Sequence, residues 1–251
     1  MSSLSSRSSL SLVVALALLS AASGCAEVVA SSKKPRETGN KALTAGEYTD
    51  AAGAFRQAVR QDPLDYRSWY GLGQSYDKAE AYHQAIQAYR TALDVRKRTL
   101  PGKEDEAARV KIIDALAKSI AAGSEHGFSA EPAAASSTGA GAGPGSAGRQ
   151  SNAEEKYIAA KAFQYGGDAD SAIEAYQQAG MLDKKDFAIA KDFGLYLEKL
   201  PSMREQAVKQ LRRAYQINPQ DQQVIMALRR NGVVPGPSLK EPEQLARPAM
   251  P

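Results

Sequence analysis

The chain has 251 residues, 43% of them hydrophobic and 24% charged, enough for one large soluble domain or two small ones. Thirty-two basic against 28 acidic residues leave a net charge of +4, spread among acids except for the short run Lys33, Lys34 and Arg36. A mixed-charge surface of this kind gives no case for nucleic-acid binding, which clusters its cations on one face.

The first 25 residues read as a processing segment. "MSSLSSR" carries one cation at Arg7, and "LSLVVALALLSAA" is an uncharged stretch too short for a comfortable membrane span. "ASGC", Ala22 to Cys25, follows. Cys25 is the single cysteine, so no disulfide can form within the chain. A lone thiol is a nucleophile, a core residue or an attachment site, and this one follows an apolar leader where no folded pocket surrounds it. The pattern resembles the lipobox of bacterial lipoproteins, with Ala22 where Leu is usual. That resemblance implies removal of 1–24, lipidation (palmitate among the acyl chains) of Cys25, and a permanent membrane anchor. Ala26, not Asp, follows the cysteine, which resembles sorting to the periplasmic face of the outer membrane. An ordinary signal peptide is the alternative. Residues 25–35 then form a tether.

Residues 32–65 align on 66–99 at a constant offset of 34: Gly39 on Gly73, Tyr48 on Tyr82, Ala51 on Ala85, Phe55 on Tyr89, Ala58 on Ala92. The second copy adds Trp69, Leu72, Gly73 and Tyr76. W-x2-L-G-x2-Y followed by A-x3-Y-x2-A resembles the tetratricopeptide repeat, two antiparallel helices per copy. Spacings of three and four put Leu72, Gly73 and Tyr76 on one helix face, and Ala85, Tyr89 and Ala92 on one face of the next. Small residues at Gly73 and Ala85 are expected to let the two backbones approach, with aromatics filling the space between pairs.

"KEDEAARVKIIDALAKSI" (103–120) follows as an amphipathic helix with an apolar stripe, expected to cap the block at 36–121. Residues 122–153 contain almost no large apolar side chain and read as a disordered Ala/Gly/Ser/Pro linker. Beyond it Ala172, Tyr176 and Ala179 recur as Ala207, Leu211 and Ala214, offset by 35. This gives a second block, 154–232, of two pairs and a capping helix. "AGEY" (45–48) and "GGDA" (166–169) mark turns between paired helices, and Pro201 and Ser202 mark the last. A Pro-rich extended tail, 233–251, ends the chain. The fold class is therefore all-α: a tetratricopeptide-repeat helical-hairpin solenoid in two blocks joined by a disordered linker.

No catalytic constellation emerges. "GPGSAG" (143–148) matches G-x-G-x-x-G but lies in the linker, without the strand and helix a dinucleotide site needs. Two histidines, His83 and His126, make no zinc site, and no metal, cofactor or small-molecule substrate is expected. In the resembled family the first helix of each pair lines a groove for peptides. That register points to Arg36, Asn40, Tyr70, Gln74, Lys78, Tyr157, Lys161 and Tyr165, a mix of amide, cation and aromatic groups suited to an extended peptide with acidic or polar features. Arg36 and Asn40 resemble half of a two-carboxylate clamp, but Gly71 stands where its second Asn belongs. Lipobox plus repeats resembles the pilotin-like and tight-adherence (Flp) pilus-assembly lipoproteins. The reading is a non-catalytic, envelope-anchored adaptor that binds a protein or peptide partner; the alternative is a tethered spacer in outer-membrane assembly or envelope maintenance.

Overall fold

The computed structural model describes residues 34–100, 106–126 and 146–236, with backbone alone for 146–152. Cys25 and the leader, most of the tether, residues 127–145 of the expected linker and the tail beyond 236 lie outside the described residues. Those described contain ten helices and no strand: α1 (34–45), α2 (Tyr48–Gln61), α3 (Tyr66–Lys78), α4 (Tyr82–Thr99), α5 (Glu106–Glu125), α6 (Ser146–Tyr165), α7 (Ala169–Leu182), α8 (Phe187–Leu197), α9 (Arg204–Ile217) and α10 (Gln222–Arg230). Among them no helix is long and apolar enough to cross a membrane. The chain divides into a first compact unit ending at Ser119 and a second beginning at Ile120.

Local chemistry sets the boundaries. Asp65, Asp168, Asp186 and Asp221 sit one residue before α3, α7, α8 and α10, and each side chain accepts from a first-turn N–H. Gly46 and Gly167 make the tight turns within their pairs at φ 82° and 80°. Thirty-four residues on from Gly46, Glu80 takes the same left-handed conformation, φ 58°, without glycine's freedom. Loops between pairs share an Asx turn: Leu64 N–H donates to Asp62, Lys185 to Asp183 and Gln220 to Asn218. The α8–α9 connection, residues 198–203, is the longest turn within a pair and contains Pro201 and Ser202.

Helix also enters the segment read as linker. α5 runs to Glu125, and α6 starts at Ser146, not near 154. "SAGRQSN" has no apolar face of its own. Once "AEEKYIAAKAF" has nucleated a helix, however, each added residue gains a hydrogen bond without a new nucleation cost.

In the first unit α3 packs between α2 and α4. Ala51, Phe55, Ala58, Ala85, Tyr89 and Ala92 are fully enclosed and Leu72 nearly so. Trp69 and Tyr76 are half-buried against that cluster, and the Trp69 indole N–H donates to the Pro63 carbonyl at 2.9 Å. In the second unit α6 packs on α7, α7 on α8, α8 on α9 and α9 on α10. There Ala172, Tyr176, Ala179, Ala207, Leu211 and Ala214 are all without exposure. Tyr176 stacks on Phe193, centroids 5.1 Å apart.

The glycines make room for side chains of the partner helix. A Cβ on Gly73 would come within 2.5 Å of the Tyr89 ring, and one on Gly39 within 2.9 Å of the Phe55 ring. Each glycine bares a strip of helix backbone on which the partner helix lays an aromatic face. Gly71 does the same for the other side of Phe55, so that ring is clasped by Gly39 of its own pair and Gly71 of the next. Gly194 makes equivalent room for Leu211, at 2.8 Å.

Gly73→Leu is therefore expected to lower unfolding free energy by about 1–3 kcal/mol through overpacking. The control is Gly53→Ala in α2, where an added Cβ meets nothing within 4 Å; it should keep or raise stability by roughly 0.5–1 kcal/mol. Urea denaturation of both variants checks the pair, and equal stabilities would refute the clasp.

Candidate functional site

The residues expected to line a groove separate into two groups. In the second unit Tyr157 is wholly buried, its hydroxyl donating to Asp192 at 2.6 Å and its ring 6.1 Å from that of Tyr176. The Lys161 ammonium, 8% exposed, lies 2.8 Å from the same Asp192 carboxylate. Neither residue faces a ligand. Both tie α6 to α8, and only Tyr165, at the end of α6, is exposed. This corrects the groove assignment for Tyr157 and Lys161.

Arg36 is also committed. Its guanidinium lies 2.5 Å from Asp65, the residue that caps α3. Lys191 reaches Asp221, the cap of α10, at 2.9 Å. Burial alone would raise the Asp221 carboxyl, but hydrogen bonds from Lys191 and the Val224 N–H hold it below the usual aspartate value. One device thus recurs: a cation on the first helix of a pair grips a carboxylate on, or capping, the first helix that follows the pair. The sequence carries the signal, an Asp 29, 30 or 31 residues after each cation. It is missed because no local spacing rule joins residues so far apart. Asn40, beside Arg36 on α1, is exposed.

Tyr70, Gln74 and Lys78 on α3 are brought together. With Asp77 and Tyr89 they form one wall of a cleft of about 660 Å³. The other wall is α5, through Val110, Lys111, Asp114, Ala115 and Lys118. A smaller recess of about 270 Å³ shares Tyr70 and Lys111 and adds Tyr66 and Arg67 from α3 with Ala107, Ala108 and Ile112 from α5. The two make a furrow along α3. The apolar stripe of α5 alone implies only a cap. The spacing of Lys111, Asp114 and Lys118 on its polar face is the signal that it also supplies a wall.

Burial first, then the Asp114 and Asp77 carboxylates, raise the Tyr70 phenol above its ordinary value. Tyr89 is raised by burial, Asp77 and Tyr70. Both are neutral phenols at physiological pH. The Gln74 amide donates to the Tyr70 hydroxyl at 3.3 Å. The Ser119 hydroxyl donates to Asp77 at 2.5 Å, and Asp114 pairs with Lys118 at 2.9 Å. Lys78 and Lys111 are exposed and, among the described residues, make no ion pair. This is the chemistry of a surface that hydrogen-bonds and attracts, without a nucleophile set against a base. No group of three or more His, Cys, Asp or Glu among the described residues is placed to hold a metal ion.

Residues 36–101 match the tetratricopeptide repeat family. A stretch of 57 residues is 37% identical to the Cell division cycle protein 27 homolog of Caenorhabditis elegans, covering 23% of this chain and 7% of that protein. The chain thus matches only a small fraction of that relative's length. Three solved structures are similar. MamA protein is 16% identical with a TM-score of 0.35, covering 80% of this chain and 83% of that one. YrrB, described as a TPR protein with an unusual peptide-binding site, is 17% identical with a TM-score of 0.34, covering 78% and 90%. A thermophilic TPR protein of Thermus thermophilus, TTC0263, is 14% identical with a TM-score of 0.38, covering 80% and 98%.

Asp192→Leu is expected to strand the Lys161 ammonium and lower stability by about 2–3 kcal/mol, short of the full buried-pair cost because Asp192 is partly exposed. Lys161→Met in the same chain should restore most of that loss. A double-mutant cycle by thermal unfolding checks it, and additive losses would show that the two residues are not coupled.

Proposed function

We propose that this chain, whose residues 36–101 are tetratricopeptide repeats, is a non-catalytic adaptor whose α3–α5 furrow receives a segment of another protein. The furrow carries the reading. Aromatic, amide and cationic side chains line this open cleft together. Hydrogen-bonding capacity suits a polypeptide.

The proposal extends to location. The leader, its small residues and Cys25 support lipidation of that cysteine and retention at a bacterial envelope, on the periplasmic face of the outer membrane. In that setting the adaptor would recruit an envelope protein during assembly of a pilus or secretion complex.

A photoreactive amino acid at position 70, in cells, is expected to trap one protein in a discrete adduct, whereas the same group at Arg90, exposed on α4, should not. Adducts of equal yield at both positions would remove the furrow from consideration. Metabolic labelling with a palmitate analogue should mark the wild-type chain and leave Cys25→Ala unlabelled; label persisting in the variant would refute the anchor.

A further inference from the structure

The second helices of the first unit, α2 and α4, present a charge pattern of their own. Ala88 of α4 shares one buried cluster with Ala51, Ala52 and Val59 of α2, so the two helices are neighbours. Arg56 and Arg90 stand at equivalent positions, 34 residues apart. With Arg60, Lys97 and Arg98 they make five exposed cations on these helices, against the exposed carboxylates Asp50 and Asp94. Among the described residues none of the five is ion-paired, and none lines the furrow. The second unit does not repeat the pattern. Its α7 exposes Asp170 and Glu174 and no cation, with Gln177 in the place of Arg56 and Arg90, and its α9 mixes Arg204 and Lys209 with Glu205.

The chemistry of the α2–α4 face selects the kind of partner. None of the exposed large apolar residues lies on either helix. A protein interface draws its energy from aromatic or apolar anchors buried at its centre, and this face has none to offer. A layer of anionic headgroups needs only cations spread along a surface, each of which raises association about fivefold. Position favours the same partner. Lys34, where α1 begins, follows Cys25 by nine residues, a reach of at most about 30 Å of extended chain. A lipid on that cysteine therefore keeps the first unit within touching distance of the bilayer.

Resting on the anchor reading, we infer that the α2–α4 face of the first unit docks on a bilayer surface containing anionic phospholipid. Arg56, Arg60, Arg90, Lys97 and Arg98 meet the headgroup phosphates. The acyl chains supply attachment, and the cations supply orientation. Because these charges are exposed, salt screens the contact and leaves the attachment intact.

The test uses the full chain anchored in vesicles of phosphatidylcholine, alone or with about 30% phosphatidylglycerol. A fluorophore is placed on Gln87→Cys, exposed on α4, or on Lys111→Cys, exposed on the furrow wall, and a nitroxide on a lipid headgroup serves as the quencher. In the anionic vesicles, quenching at position 87 is expected to be at least threefold that at position 111. Phosphatidylcholine alone, or about 0.5 M salt, should make the two equal. Arg56→Glu with Arg90→Glu should also make them equal, with unchanged circular dichroism and thermal midpoint. Lys184→Glu with Lys185→Glu, two exposed lysines of the second unit, should leave the preference intact. Equal quenching in the anionic vesicles, a preference of the same size in phosphatidylcholine alone, or one that survives Arg56→Glu with Arg90→Glu overturns the inference. A photoreactive group at Arg90 that traps a protein gives this face to a protein and overturns it as well. If the chain floats with both kinds of vesicle while quenching stays equal, the anchor reading stands and only the docking falls; if it floats with neither, both fall.

Discussion

An aromatic ring lying on bare helix backbone is the contact that the rest of this structure depends on. Tyr89 rests on Gly73, and Phe55 is held between Gly39 and Gly71. A side chain at any of these three glycines would meet the ring at or inside the closest approach that carbon atoms tolerate. Glycine is disfavoured in a helix interior by about 1 kcal/mol relative to alanine. That penalty is offset because a buried aromatic side chain brings a large apolar area out of water. The clasp on Phe55 also joins consecutive pairs, so one helical hairpin cannot complete its own core and stability belongs to neighbours stacked in register.

The second unit solves the same joint with charge. Aligning Gly73 with Gly194 places Gly71 on Asp192. Where the first unit has a glycine that admits Phe55, the second has a carboxylate that receives the Tyr157 hydroxyl and the Lys161 ammonium. Both choices lock adjacent pairs. By the same alignment Tyr157 and Lys161 stand where the first unit has Arg36 and Asn40, and Arg36 is tied instead to Asp65. The first helix of a pair thus turns its polar groups onto the next helix in both units.

What was legible in the sequence follows from the range of each interaction. The 34-residue offset, the Ala/aromatic/Ala faces and the turns at Gly46 and Gly167 are local or strictly periodic, and they gave the helices and their pairing. The left-handed Glu80 was not legible, because nothing about a glutamate announces that conformation; only its alignment with Gly46 does. The start of α6 was hidden because small polar residues extend a helix without an apolar face of their own. Tyr157 and Lys161 were assigned to a groove by register, yet register fixes only the helix face. Whether that face meets solvent or an aspartate depends on a residue 35 and 31 positions away. The second wall of the furrow escaped for a related reason: an amphipathic helix declares its buried stripe, whereas the use of its polar face depends on what stands opposite.

Energetic scale separates the roles of the furrow's groups. An exposed lysine–carboxylate pair contributes about 0.2–1 kcal/mol, so Lys78 and Lys111 alone cannot hold a partner. Apolar area is worth about 25 cal/mol per Å², and one side chain laid across Tyr70, Val110 and Ala115 exceeds either ion pair. On the adaptor reading, affinity would come from the apolar part of the walls, and the lysines would govern how fast a segment approaches. Neutral Tyr70 suits this division. Its phenol, neutral at physiological pH and pushed further up by burial and by Asp114 and Asp77, could donate to a polypeptide carbonyl on the adaptor reading.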